Sequence, residues 1–335
     1  MKRRILASVV IAVGIVLIAV TAARNLFAVG PAFEEMIDDF RPWITDESIA
    51  TLRSDLGGLG SAIESFETEM VPALADRLKM TPQEFAITLG AQYPAVQTGL
   101  EVVPAAAASF SGIIDLLDEQ QANFMSADEI PTAQLPATTV PWGIALAGVL
   151  AVAVGLAMLV AGRIGDLFAV VLGVLLVLAS VVLSLPAKAT DADALNGALE
   201  PVYTAEMVAG AAGAVEALGA MGTEMTESMV PGLGQMLGMA PDQVMVFVAT
   251  EFPAVAGALE TMPDAVGRFQ GMVGAFEANL GNYDTLRPVA FAPIVWTMVI
   301  GGLVMALAAG AALLPSKTAR ETSPVVEEPR VPVGV

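Results

Sequence analysis

The sequence contains no cysteine and no histidine. Without thiols there is no disulfide framework, no thiolate metal site and no lipid anchor at Cys. Without imidazole there is no Ser-His or Cys-His nucleophile system. Charge is also scarce. Only 15% of residues are charged, against about 25% in an ordinary soluble domain. Basic residues are scarcest, with Lys+Arg 15 against Asp+Glu 35 and a net charge of -20. That balance argues against nucleic acid as a partner. What fills the chain instead is apolar. Of 335 residues 56% are hydrophobic, and the mean hydropathy is +0.71. Such a chain is too apolar to be soluble throughout.

Four stretches reach the roughly 20 apolar residues that a membrane-crossing helix needs. They are residues 5–27, 142–162, 167–185 and 292–314. Lys2, Arg3 and Arg4 precede the first, Arg163 lies in the short turn 163–166, and Lys317 and Arg320 follow the fourth. The positive-inside rule places all three basic segments in the cytoplasm. The expected fold class is an all-α integral membrane protein with four transmembrane helices and two homologous extracytoplasmic helical domains. Those domains span 28–141 and 186–291, both termini are cytoplasmic (1–4 and 315–335), and the tail is disordered. The expected location is the plasma membrane. The stretch Thr21-Ala22-Ala23 resembles a signal-peptide cleavage site, but the apolar run exceeds the usual length of about 7–15 residues. The first span is therefore read as a retained anchor.

A shift of 159 residues superposes the chain on itself. Met70-Val71-Pro72 falls on Met229-Val230-Pro231, Pro94-Ala95-Val96 on Pro253-Ala254-Val255, and Leu100-Glu101 on Leu259-Glu260. Between 66–124 and 225–283, 17 of 59 positions are identical without a gap. This pattern reads as an internal duplication of a unit made of span, outer segment and span. The second and fourth spans align after a further five-residue shift, which pairs Gly148 with Gly302.

The outer segments lack period-2 alternation and are punctuated like helices. Thr81-Pro82-Gln83-Glu84 has an N-cap, a Pro at N1 and an acid at N3. Pro94 and Pro253 are expected to interrupt or kink a helix, and Pro104 and Pro263 to mark another boundary. Helices are expected to run on from the spans, most clearly from Asn282 into the fourth.

Candidate chemistry is thin. Met221, Met225 and Met229 recur at helical spacing, with Met236 and Met239 nearby. Thioethers outside the cell can hold Cu(I), but the equivalents Ala62, Phe66 and Met70 mostly lack sulfur, so the stripe reads as apolar core or as a contact for a hydrophobic ligand or partner. The run Asp191-x-Asp193-x-x-Asn196-Gly197 suggests a calcium loop but misses the oxygen ligand and Gly that such a loop needs. It reads as a flexible acidic segment. Glu101 and Glu260, with Asn123 and Asn282, are retained polar pairs that read as caps or solvated faces.

No cofactor, metal or catalytic residue is expected. The functional expectation is a non-enzymatic accessory or scaffolding subunit of a cell-envelope membrane complex. Its partners would be the lipid bilayer and another membrane or envelope protein, or a second copy. The alternative is a carrier or transporter component for a lipid or another hydrophobic molecule.

Overall fold

A computed structural model describes residues 2–132 and 134–314. The expected tail 315–335 lies outside the described residues. The chain is all-helical, with no strand among the described residues and several long apolar helices. In order these are α1 (Lys2–Ala23), α2 (Leu26–Phe40), α3 (Asp46–Ser65), a π-helical turn (Phe66–Met70), α4 (Val71–Leu78), α5 (Pro82–Gln92), α6 (Pro94–Asp128) and α7 (Thr139–Val160). Then follow α8 (Arg163–Val182), α9 (Leu185–Leu199), α10 (Ala205–Glu224), a second π-turn (Met225–Met229), α11 (Val230–Leu237), α12 (Pro241–Glu251), α13 (Pro253–Ala278), α14 (Leu280–Leu286) and α15 (Phe291–Leu313).

The boundaries have local causes. Thr45 accepts a hydrogen bond from the Ser48 backbone N–H at 3.2 Å, and Thr204 does the same for Met207 at 3.1 Å. Each satisfies a donor that a helix start leaves orphaned. Thr81 and Glu84 form the full capping box at α5. At α12 only the return half exists, because Ala240 has no side-chain acceptor and Gln243 alone reaches back to its N–H. Helix α4 ends at Lys79 with φ 57°, and α11 ends at Gly238 with φ 68°. The left-handed stop is thus made once with a strained residue and once with the residue suited to it. The π-turns sit just before Pro72 and Pro231. Val71 bonds to the Phe66 carbonyl and Val230 to that of Met225, five residues back. The wider turn relieves the clash that a proline ring makes with the carbonyl four residues earlier.

Pro94 and Pro253 interrupt the helical run as expected: α5 and α12 stop at Gln92 and Glu251, and each proline opens the next helix at N1, where it forfeits no intrahelical bond. Other expectations give way. Pro104 and Pro263 lie inside those helices and do not end them. The helices do not run on from the apolar stretches. Asn25 and Ser184 adopt left-handed backbone (φ 49° and 53°) between α1 and α2 and between α8 and α9. A non-helical stretch likewise separates α14 from α15. Residues 191–197, read as flexible, belong to α9.

Two compact units emerge. Of the described residues, one comprises 2–23, 142–183 and 294–314; the other lies within 24–141 and 184–293. The first unit packs α1, α7, α8 and α15 about Ala7, Val10, Ala151, Met158, Ala169, Met305 and Ala309. A Cβ on Gly14 would come within 2.6 Å of the Gly148 carbonyl, and one on Gly173 within 2.5 Å of the Gly302 carbonyl. These two glycine contacts let α1 approach α7 and α8 approach α15 backbone to backbone, the close approach small residues permit. Asp166 lies within α8, 1% exposed, and pairs with Arg3 of α1.

In the second unit the two halves interleave. Helix α6 lies on α10 and α9, α13 on α3, and α14 on α2. The segments 28–141 and 186–291 therefore share one interior. Phe110 of α6 and Phe269 of α13 meet at its centre with ring centroids 5.0 Å apart. The ion pair Arg268–Asp55 joins α13 to α3 through two bonds of 2.6 and 2.8 Å. Element bounds recur 159 residues on, from α2 and α9 through both π-turns to the starts of α6 and α13. One pair recurs with its polarity reversed. Arg41 bonds Asp128 at 2.7 Å, and at the equivalent positions Glu200 bonds Arg287 at 2.6 Å.

Candidate functional site

The sequence candidates Met221, Met225 and Met229 project from α10 and its π-turn into the interior of the second unit. All three are buried. Burying a side chain of this size is worth about 1.5–3 kcal/mol, so they contribute to the core. Met221 and Met225 also line an apolar cavity of about 20 Å³, with Leu59, Ala62, Phe66, Val96, Leu100, Val255, Leu259 and Met262 among the other walls. Met229 does not line it. The lining pairs equivalent positions, Ala62 with Met221, Phe66 with Met225, Val96 with Val255 and Leu100 with Leu259. The cavity therefore sits where the halves cross. Its size would admit one water, but its walls offer no polar partner to hold one. The side chain of Met221 lies against Gly99 of α6, where a Cβ would collide with it.

Outside this cavity lies a groove of about 320 Å³, walled by Phe66, Val71, Ala86, Leu89, Gly90 and Leu100, with Glu67 and Gln97 also on its lining. Phe66 and Leu100 are common to the larger groove and the smaller cavity. The Gln97 amide donates to Glu101 at 3.1 Å. Sequence reasoning found the repeated Val96 and Leu100 but assigned no site to them. Phe66 was noted only as the counterpart of Met225. The signal for the groove was the Met-Val-Pro motif itself, because it sets the π-turn that carries Phe66 and Glu67.

A second, polar cleft of about 230 Å³ is lined by Glu34, Asp38, Arg41, Asp128 and the loop through Ala137. Its charges are already used. Arg41 bridges Asp38 and Asp128, and its guanidinium pKa is raised chiefly by the bond to Asp128. Glu34 accepts from the Thr138 N–H at 3.3 Å, while the equivalent Asp193 accepts from the N–H groups of Phe291 and Ala292 at 2.6 and 3.0 Å. These acids sit at the starts of α7 and α15, where negative charge and orphan N–H groups suit each other. Asp191 accepts from Ser126 at 2.6 Å. Asn123 and Asn282 each donate three residues back, to Gln120 and Asn279, both at 2.8 Å. Glu101 and Glu260 are exposed. No group of three or more acidic residues placed to hold a metal occurs among the described residues.

An aromatic cluster closes the other end of the interior. Tyr203 stacks on Tyr283 at 4.6 Å, and Phe276 meets Phe40 edge-on at 4.8 Å. Tyr283 donates to the Asn196 carbonyl at 2.9 Å, whereas the buried Tyr203 hydroxyl has no hydrogen-bond partner. Burial, then the nearby Asp39, push the Tyr203 pKa far up. Burial raises Tyr93 and Tyr283 as well, with Glu224 adding to the first and Glu200 to the second. At the cavity end, Glu224 of α10 accepts from the Val96 N–H of α6 at 2.8 Å, so one half caps a helix of the other. Comparison of the chain with family models, with curated proteins and with solved structures returned no match.

Proposed function

We propose that this is a four-span integral membrane protein whose outer unit arose by internal duplication. It serves as a non-enzymatic accessory or scaffolding subunit of a cell-envelope membrane complex. Both termini lie in the cytoplasm and the interleaved unit lies outside. Among the described residues five helices are long and apolar enough to span, namely α1, α6, α7, α8 and α15, and the bent pair α12–α13 would make a sixth. We assign four. The apolar face of α6 is taken up by α10, α9 and α3, and Asp115, Asp118, Glu119 and Asp128 occupy its second half. By contrast α1, α7, α8 and α15 turn large apolar side chains outward, including Ile15, Leu150, Leu156, Leu175 and Leu303. Lipid is the solvent that suits such a surface. The recurrence of bounds at 159 residues and the reversed Arg41–Asp128 and Glu200–Arg287 pairs support the duplication.

The observation that carries the scaffolding reading is a matched pair of exposed apolar residues. Ile87 on α5 and Val246 on α12 are equivalent positions, and each is 66% exposed. Single exposed apolar residues are ordinary. The same class at the same exposure in both halves fits a contact face used twice. The close-packed interior and the glycine contacts of the first unit favour a rigid support over a conduit.

The test is site-specific photo-cross-linking in intact membranes, from a photoreactive residue at Gln83 or Asp242, exposed positions one turn before Ile87 and Val246 on the same helix faces. A discrete adduct lost in the I87K/V246K variant is expected. Its mass separates a distinct protein from a second copy of this chain. Absence of any adduct at both positions would refute the contact face.

A further inference from the structure

We infer that the groove between α5 and α6 binds the hydrocarbon chain of a lipid whose head group carries no net negative charge. Phe66 is the point through which the chain end reaches the methionine-lined cavity. This site is independent of what the unit assembles with.

The groove has the volume of a small ligand site, at the lower end of the usual range of about 300–1,000 Å³. Its apolar walls are Phe66, Val71, Ala86, Leu89 and Leu100. Such a lining offers a hydrocarbon chain burial and offers a polar solute little. The smaller cavity that Phe66 and Leu100 also line continues the same chemistry with apolar residues throughout. Phe66 opens the π-turn, a local widening of the helix that recurs at functional sites. Three of the cavity walls are Met221, Met225 and Met262. Unbranched thioether side chains rearrange at little cost, so they can yield volume to an entering chain end. The cavity alone is too small for a ligand, and the groove alone is open. Joined through Phe66, they make one longer apolar slot.

The charge around the mouth selects the head group. Glu67 is exposed on the lining, and Glu101 is exposed next to Gln97. Over residues 30–140 acids outnumber bases, 18 to 4. An anionic head would be repelled there, and a choline or amine-bearing head attracted.

The absence of cysteine makes the site directly readable. Ala86 is exposed and lines the groove, so A86C places one thiol at the mouth without disturbing the core. Alkylation of this thiol by a maleimide is followed in purified full-length protein held in amphipol, with lysophosphatidylcholine as probe. At ten times the half-saturating concentration, mass action slows the reaction about tenfold. Lysophosphatidylglycerol of the same chain length should protect far less. A thiol at the exposed Ser111 should be protected by neither. Adding E67K, also at an exposed position, should narrow or reverse the head-group preference. Equal rates at A86C with and without either probe would overturn the site, as would equal protection at Ser111. Equal protection by both heads would overturn the head-group assignment. A62L, which occupies the inner cavity, should shorten the longest chain that protects fully. An unchanged length limit would overturn the role given to Phe66.

Discussion

The crossing of the two halves makes a quantitative prediction at Phe110 and Phe269. Both rings are almost fully buried, at 1% and 0% exposure, and their centroids lie 5.0 Å apart. Truncating a buried Phe to Ala costs about 3–5 kcal/mol, the lost transfer energy plus the cavity left behind. F110A and F269A should each fall in that range. They should not add. The ring contact, worth about 0.5–1.5 kcal/mol beyond burial, is lost with either change. The second truncation then enlarges an existing void instead of opening another. The double variant should therefore fall short of the sum by about 1–2 kcal/mol, within the coupling range of residues in contact. The assay is reversible denaturant unfolding of the full chain in detergent, followed by far-UV circular dichroism and by Trp43 fluorescence in a W142F/W296F background, which leaves Trp43 as the one indole of the chain's three. Trp43 packs on Gly271 of the opposite half, where a Cβ would come within 2.7 Å of the ring. It thus reports separation of the halves. Additivity to within about 0.5 kcal/mol would mean the rings do not touch. A cost below about 1 kcal/mol for either single change would mean that ring is not in the core.

Further outcomes follow from the polar contacts. R41E should cost about 1 kcal/mol by setting a third acid beside Asp38 and Asp128, while R41E/D128R, which copies the Glu200–Arg287 arrangement, should recover most of it; a salt titration should shrink both effects, since the groups are largely exposed. Y283F should lose about 1 kcal/mol with its bond to the Asn196 carbonyl, whereas Y203F, which removes an unpartnered hydroxyl, should be neutral or stabilising on thermal unfolding. The chain has three tyrosines, and all three are raised above the ordinary value of 10 in the fold. A raised folded pKa gives stability that is full below the unfolded pKa and is lost as pH rises above it. Absorbance at 295 nm should therefore show little tyrosinate near pH 10 in the folded chain, then a cooperative rise with alkaline unfolding, and early independent titration of Tyr203 would contradict its burial.

Local signals in this sequence were strong because they act over a few residues. Helix starts at Thr45, Thr81 and Thr204 follow from a hydroxyl within reach of an N–H three residues on. The apolar stretches and the shift of 159 are one-dimensional patterns, read without any fold. Prolines were harder. Pro94 and Pro104 look alike in sequence, yet one begins α6 and the other sits within it. A proline's effect depends on whether its missing N–H and its ring fall at a helix start, and only the neighbouring turns decide that.

What tertiary structure alone decided is which halves meet. A duplicated sequence is equally compatible with two separate bundles and with one interleaved unit, because each copy carries the same apolar stripes either way. Placing α6 on α10 and α13 on α3 buried Met221, Met225 and Met229, which the sequence left open to ligand, partner or core. It also put Phe66 and Leu100 on the lining of both a groove and a cavity. The packing of α13 on α3 and of Met221 on Gly99 joins residues more than a hundred positions apart. Periodicity reports only that a face is apolar; its partner is chosen by shape and volume in three dimensions.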